Sequence, residues 1–170
     1  MALYKTRGIV LGSKPFEETA KLITFFTLDH GKIRVIAKGA KRLSSRFMGR
    51  LETLSLLELL IASGRNLDIL SQCEVSEGFS KLKKGPETLR QALYFVRVID
   101  KATLDRQKNV ELFKLLALSL KKLEDGVRSL EVEKYFEVNF LRAEGLFRTE
   151  DPPDVLIGEH LGVDIREWKI

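Results

Sequence analysis

A chain of 170 residues and 19.4 kDa, 44% apolar and 31% charged, has the composition of an ordinary globular protein and room for one domain or two small ones. Its formal charge of +5 is concentrated early: residues 1–78 hold twelve Lys/Arg against eight Asp/Glu, a net +4, while residues 79–170 hold seventeen against sixteen. This imbalance favours a polyanionic partner over a small substrate, and the single cysteine, Cys73, excludes an intrachain disulfide or a four-cysteine zinc site.

The opening MALYKTRG has a charge at Lys5 and no apolar stretch of the kind a secretory signal needs. The most apolar run, Leu54 to Ala62, is interrupted by Glu58 and is too short to span a bilayer. The expectation is a cytoplasmic protein with no membrane partner.

Tyr4 to Leu11 reads as a first strand, followed by a turn at Gly12-Ser13-Lys14-Pro15. A second strand, Lys21 to Leu28, is rich in β-branched and aromatic residues, and Asp29-His30-Gly31 turns it into a third, Lys32 to Lys38. Thr53 to Ala62 and Leu67 to Val75 form a hairpin around Ser63-Gly64-Arg65-Asn66, with Cys73 inside a strand as a small apolar residue. Five short strands with the longest connection between the third and fourth match a small OB-type Greek-key barrel. From pattern alone, an SH3-like barrel or an open five-stranded sheet fits almost as well.

Composition changes after Glu77. Gly85-Pro86-Glu87 starts a helix on which Leu89, Ala92, Leu93, Val96 and Ile99 keep helical spacing. A second helix spans about Asn109 to Glu124, and a third about Leu130 to Glu144, apolar on most sides and closed by Gly145. The fold class is therefore α+β: an OB barrel over residues 1–78, a helical bundle over 79–147, and a tail over 148–170 that either packs on the bundle or stays loose. Phe79, Leu82, Leu89, Phe95, Phe113 and Leu116 exceed the needs of a three-helix core. Packing against the barrel accounts for them more simply than a peptide groove does.

The stretch His30 to Leu51 carries the functional signal. Lys32, Arg34, Lys38, Lys41, Arg42, Arg46 and Arg50 occur there without a single carboxylate. A strand running into a cationic, glycine-containing loop suits the phosphates of a nucleic acid. Phe47, between Arg46 and Arg50, has no evident core to join and is a candidate for stacking on bases. Arg65, at the tip of the last hairpin, is a further candidate contact. Catalytic patterns are absent: Gly39-Ala40-Lys41-Arg42 is not a P-loop, Ser44-Ser45 beside Lys41 lies in a wet cationic setting, and Glu17-Glu18 point apart. His30 reads as a turn residue. Neither an enzymatic activity nor a cofactor is expected. An adaptor whose basic loop docks on an acidic protein partner remains the alternative.

Several motifs resemble the bacterial DNA repair and recombination RecO family. They are Gly8-Ile9-Val10-Leu11, Phe16-Glu17-Glu18, Leu22-Ile23-Thr24, Asp29-His30-Gly31-Lys32, Val35-Ile36-Ala37-Lys38-Gly39-Ala40-Lys41-Arg42, and Leu67-x2-Leu70-x3-Glu74. Phe140-Leu141-Arg142-Ala143-Glu144-Gly145-Leu146 is similar to a helix of the family's second domain. The resemblance implies an N-terminal OB-fold and a helical domain. It also implies a mediator that binds single- and double-stranded DNA and anneals complementary strands. With RecR, such a mediator helps load RecA onto strands covered by single-strand-binding protein, which has an acidic C-terminal tail. The family's basic surface falls on Lys32, Arg34, Lys38, Lys41, Arg42 and Arg46. Many members carry a four-cysteine zinc module after the helix that corresponds to the one ending at Glu144, and this sequence has no cysteine there.

Overall fold

The computed structural model describes residues 1–170. Two compact units divide them, one of residues 1–78 with 104–110, the other of residues 79–103 with 111–170.

The first unit is a closed barrel of five strands: β1 (Leu3–Phe16), β2 (Ala20–Thr27), β3 (Gly31–Ala37), β4 (Leu56–Ala62) and β5 (Asp68–Glu77), hydrogen-bonded in the order β1-β2-β3-β5-β4. Closure depends on the length of β1. Its first half, Leu3 to Ile9, pairs with β4, and its second half, Gly8 to Phe16, pairs with β2. The expected turn at Gly12 to Pro15 does not form. Gly12 instead marks a bulge in the β1–β2 register, the other role a glycine plays inside a strand. Pro15 lies where β1 pairs on one side only, the edge-like position at which a strand accommodates proline. β3 and β5 close the barrel through a short parallel contact, Val35 with Asp68 and Ile36 with Ile69.

Alternation fills the barrel. Val10, Ile23, Phe25, Ile33, Val35, Ala37, Leu57, Leu59, Ile61, Leu70 and Cys73 form one buried cluster. Gly8 is required for close approach, since a Cβ there would stand 2.8 Å from Leu59 Cδ1.

Residues 104–110, which the sequence places among the helices, belong to the barrel unit. Asp105 forms a parallel bridge with Lys32, and the Arg106 N–H donates to the Lys32 carbonyl at 2.8 Å. Gly31, at φ 67°, makes room for this segment: a Cβ there would lie 2.1 Å from the Gln107 carbonyl oxygen.

The second unit is helical: α1 (Ser80–Lys84), α2 (Pro86–Ala102), α3 (Val110–Glu124), α4 (Ser129–Ala143), α5 (Pro153–Leu161) and a terminal 3-10 helix (Ile165–Lys169). Its core includes Phe95 stacked on Phe136 at 4.3 Å, with Phe140 beyond. The tail is ordered against this bundle. Lys169 Nζ lies 2.8 Å from Glu133 Oε1 and 2.7 Å from Glu137 Oε1, and the Arg97 guanidinium sits 4.9 Å from the Trp168 ring centroid. Glu137 is buried and accepts from the Tyr94 hydroxyl at 2.8 Å. Burial pushes its carboxyl above the usual range despite the lysine. No helix is long and apolar enough to cross a membrane.

Candidate nucleic-acid interface

The connection from β3 to β4 is built from tight turns. Backbone hydrogen bonds run from Ala40 to Ala37, Arg42 to Gly39, Ser45 to Arg42, Met48 to Ser45 and Arg50 to Phe47, each N–H donating three residues back. Gly39 and Gly49, both at φ 71°, occupy the left-handed positions that the first and last of these turns require. The Ser45 hydroxyl accepts from the Phe47 N–H at 3.1 Å, and the Lys41 N–H donates to Thr19 O at 3.0 Å in the β1–β2 turn. The loop is thus held in place by hydrogen bonds of its own backbone.

Phe47 does not present its ring for stacking. It is 3% exposed and belongs to the barrel core with Ala37, Leu57 and Cys73, against which Ala40 and Leu51 also pack. The turns fold Phe47 inward while its neighbours point outward, so the core it joins is the barrel end itself. Burying a phenylalanine there contributes roughly 1.5–3 kcal/mol and anchors the middle of the loop. Arg46 lies over the outer part of this ring, its guanidinium carbon 4.9 Å from the centroid.

The sequence-chosen cations separate into two groups. Lys38, Lys41, Arg42 and Arg46 are exposed on the loop, and none of them forms an ion pair. Arg65 is exposed at the β4–β5 tip. The others are committed to the fold. Lys32 is 8% exposed and lies under residues 105–106. Arg34 points outward but has Asp105 Oδ2 3.4 Å from its Nη2. Arg50 donates to the Cys73 carbonyl at 3.2 Å, which ties the end of the loop to β5.

The segment that covers Lys32 and Arg34 lies some seventy residues further along the chain, so the local pattern at 32 and 34 carries no sign of it. Leu43 stands 93% exposed between Arg42 and Ser44. His30 is a turn residue, its N–H donating to Thr27 Oγ1 at 3.0 Å and its ring 4.5 Å from that of Tyr4. Glu17 and Glu18 occupy the exposed β1–β2 turn.

The remaining surface is cationic and held by its turns. A groove of about 400 Å³, lined by Ser13, Lys21, Ala40, Met48 and Thr53 among others, opens beside the loop. Unpaired exposed cations at fixed spacing can neutralise successive phosphates and release their counterions.

Comparison with known proteins places this chain in a family. "Recombination protein O N terminal" matches residues 1–79, and "Recombination protein O C terminal" matches residues 85–147. Among curated proteins, a "DNA repair protein RecO" from Desulforamulus reducens is 31% identical over 170 residues, covering 100% of this chain and 64% of that protein. The protein of the same name from Caldicellulosiruptor bescii is 33% identical over 147 residues, covering 86% of this chain and 60% of its own length. That from Cyanothece sp. is 40% identical over 123 residues, covering 72% and 42%. The chain spans about half the length of the curated relatives it matches. The barrel falls within the first family match and α2, α3 and α4 within the second, so on both domains together the chain belongs to the recombination protein O (RecO) family.

Proposed function

We propose that this chain serves in DNA repair as a non-enzymatic mediator that binds single- and double-stranded DNA through the β3–β4 loop. The observation that carries this reading is the set of four exposed cations, Lys38, Lys41, Arg42 and Arg46, on a hydrogen-bonded loop of an OB barrel with no carboxylate from residue 30 to 51. Neutralising phosphates on that loop lowers the repulsion between two approaching strands, the step that annealing requires. Its relatives are named DNA repair proteins, which supports placing the binding within repair. In the same reading the protein works on the nucleoid with RecR and single-strand-binding protein to load RecA, and Arg65 is an auxiliary contact.

Fluorescence anisotropy of labelled single- and double-stranded oligonucleotides tests the binding directly. The expected result is salt-sensitive binding to both, weakened more than tenfold by Lys41→Glu with Arg42→Glu, since a phosphate that meets no cation keeps its condensed counterions. Retention of an acidic peptide by a protein that holds neither oligonucleotide would assign the loop to a protein partner instead.

A further inference from the structure

Among large hydrophobic side chains Leu43 is the most exposed, at 93%, more so than those at the chain ends. A single exposed leucine is ordinary on a protein surface. This one is not on an open strand or a frayed end. It is the second residue of the turn closed by Ser45 N–H on Arg42 O at 3.0 Å, and the neighbouring turns share Arg42 and Ser45 as their ends. Five successive hydrogen bonds and the buried Phe47 ring therefore hold its position. Lys41 and Arg42 precede it immediately and Arg46 follows three residues later, all exposed. Met48, 52% exposed, adds a second apolar side chain on the same loop.

We propose that Leu43 is an apolar wedge that enters the base stack where DNA is already unpaired. This rests on the reading of the loop as the DNA-binding surface and adds what that surface selects. Charge complementarity names the occupant. Cations one and two residues away hold phosphates within about 7 Å of the leucine backbone, and beyond the sugar the extended apolar surface within reach of a bound phosphate is the face of an unstacked base. Leucine and methionine are among the side chains that insert between base steps, and the insertion costs unstacking energy that an unpaired or mismatched base has already lost. A wedge on a cationic loop therefore converts non-specific phosphate binding into preference for single strands, bubbles and junctions. Leu43 is a specificity-determining residue in this account, and Lys41, Arg42 and Arg46 supply affinity.

The test compares a labelled duplex with the same duplex carrying a short central bubble that contains 2-aminopurine. The full chain is titrated as wild type, Leu43→Ser, Leu43→Phe and Lys41→Glu/Arg42→Glu. Leu43 lies on the surface, so its variants leave the core untouched. The expected result is a bubble preference that falls roughly fivefold in Leu43→Ser and returns in Leu43→Phe, with the salt slope unchanged in both and the 2-aminopurine response of the bound complex lost in the serine variant but kept in the phenylalanine one. An unaltered bubble-to-duplex ratio and 2-aminopurine response in Leu43→Ser, or no bubble preference in the wild type, would overturn the wedge. If that happens while Lys41→Glu/Arg42→Glu still weakens binding, the loop remains the binding surface. Unchanged binding by the double variant would remove the loop reading and the wedge with it.

Discussion

Arg106 Nη2 donates to Asp68 Oδ2 at 3.0 Å, joining a residue beyond the second helix to the first residue of β5. Asp68 is a buried carboxylate with three donors: Arg106, the Tyr4 hydroxyl and the Gly64 N–H at 3.1 Å. Burial alone would raise its carboxyl. The hydrogen bonds from Tyr4, Gly64 and Arg106 outweigh that and hold it below its ordinary 3.8. Burial, together with this same carboxylate, pushes the Tyr4 hydroxyl upward. This cluster links β1, β5 and residues 104–110 through their side chains.

Asp68→Ala should cost about 3 kcal/mol, because it leaves the Tyr4 hydroxyl and a guanidinium without their acceptor. Arg106→Ala removes a half-exposed partner and should cost only about 1 kcal/mol. Urea denaturation at neutral pH separates the two. The pH dependence has a defined sign. A carboxyl depressed in the folded state stabilises above its unfolded pKa, and that stability disappears as pH falls through the lower folded value. The wild type should lose stability steeply below the ordinary carboxylate range, and Asp68→Asn should flatten that loss.

Phe47 separates packing from recognition. Phe47→Ala should destabilise the barrel by about 3–5 kcal/mol through the cavity it opens. Phe47→Leu should retain most of the stability and also the DNA affinity, because the ring contacts the core and not the ligand. Paired denaturation and anisotropy measurements check this. A folded Phe47→Leu protein without base-stacking signals would return the ring to the interface.

Asp105 lies against Arg34, and both side chains are about half exposed, so the pair adds little stability. Its larger effect is to neutralise one cation on β3. Asp105→Asn should leave the urea midpoint nearly unchanged, raise DNA affinity roughly twofold to threefold, and steepen the log–log salt slope by up to about one unit.

Lys169 bridges the buried Glu137 and its neighbour Glu133. Removing it leaves two carboxylates close together, one of them buried. Lys169→Ala should cost about 3 kcal/mol. Amide exchange at Ile165 to Lys169 should rise from protected to nearly free, while amides of α2 keep most of their protection.

The parts of the fold written in local pattern were legible. Alternation placed β3, β-branched and aromatic content placed β2, two apolar runs around Ser63 to Asn66 placed the β4–β5 hairpin, and helical spacing with Pro86 and Gly145 placed α2, α3 and α4. The cationic loop was legible because charge does not depend on tertiary contacts. What escaped reading was decided at a distance. Gly12 has the same appearance whether it opens a turn or a bulge, and only pairing with β2 on one side and β4 on the other chose the bulge. Phe47 looked stranded among arginines because its core partners come from β3, β4 and β5. Lys32 and Arg34 looked available because their cover arrives some seventy residues later in the chain. The tail showed only short periodic pieces, and its order comes from Lys169 and Trp168 meeting α2 and α4.

The central claim is that four cations on the β3–β4 loop bind phosphates directly. Its most direct test is the salt dependence of duplex affinity for the wild type and for the variant with Lys38, Lys41, Arg42 and Arg46 all changed to alanine. The prediction is a log–log slope shallower by about three to four units, at unchanged urea stability. A variant that is folded and keeps both the wild-type slope and the wild-type affinity would contradict it and move the binding surface elsewhere.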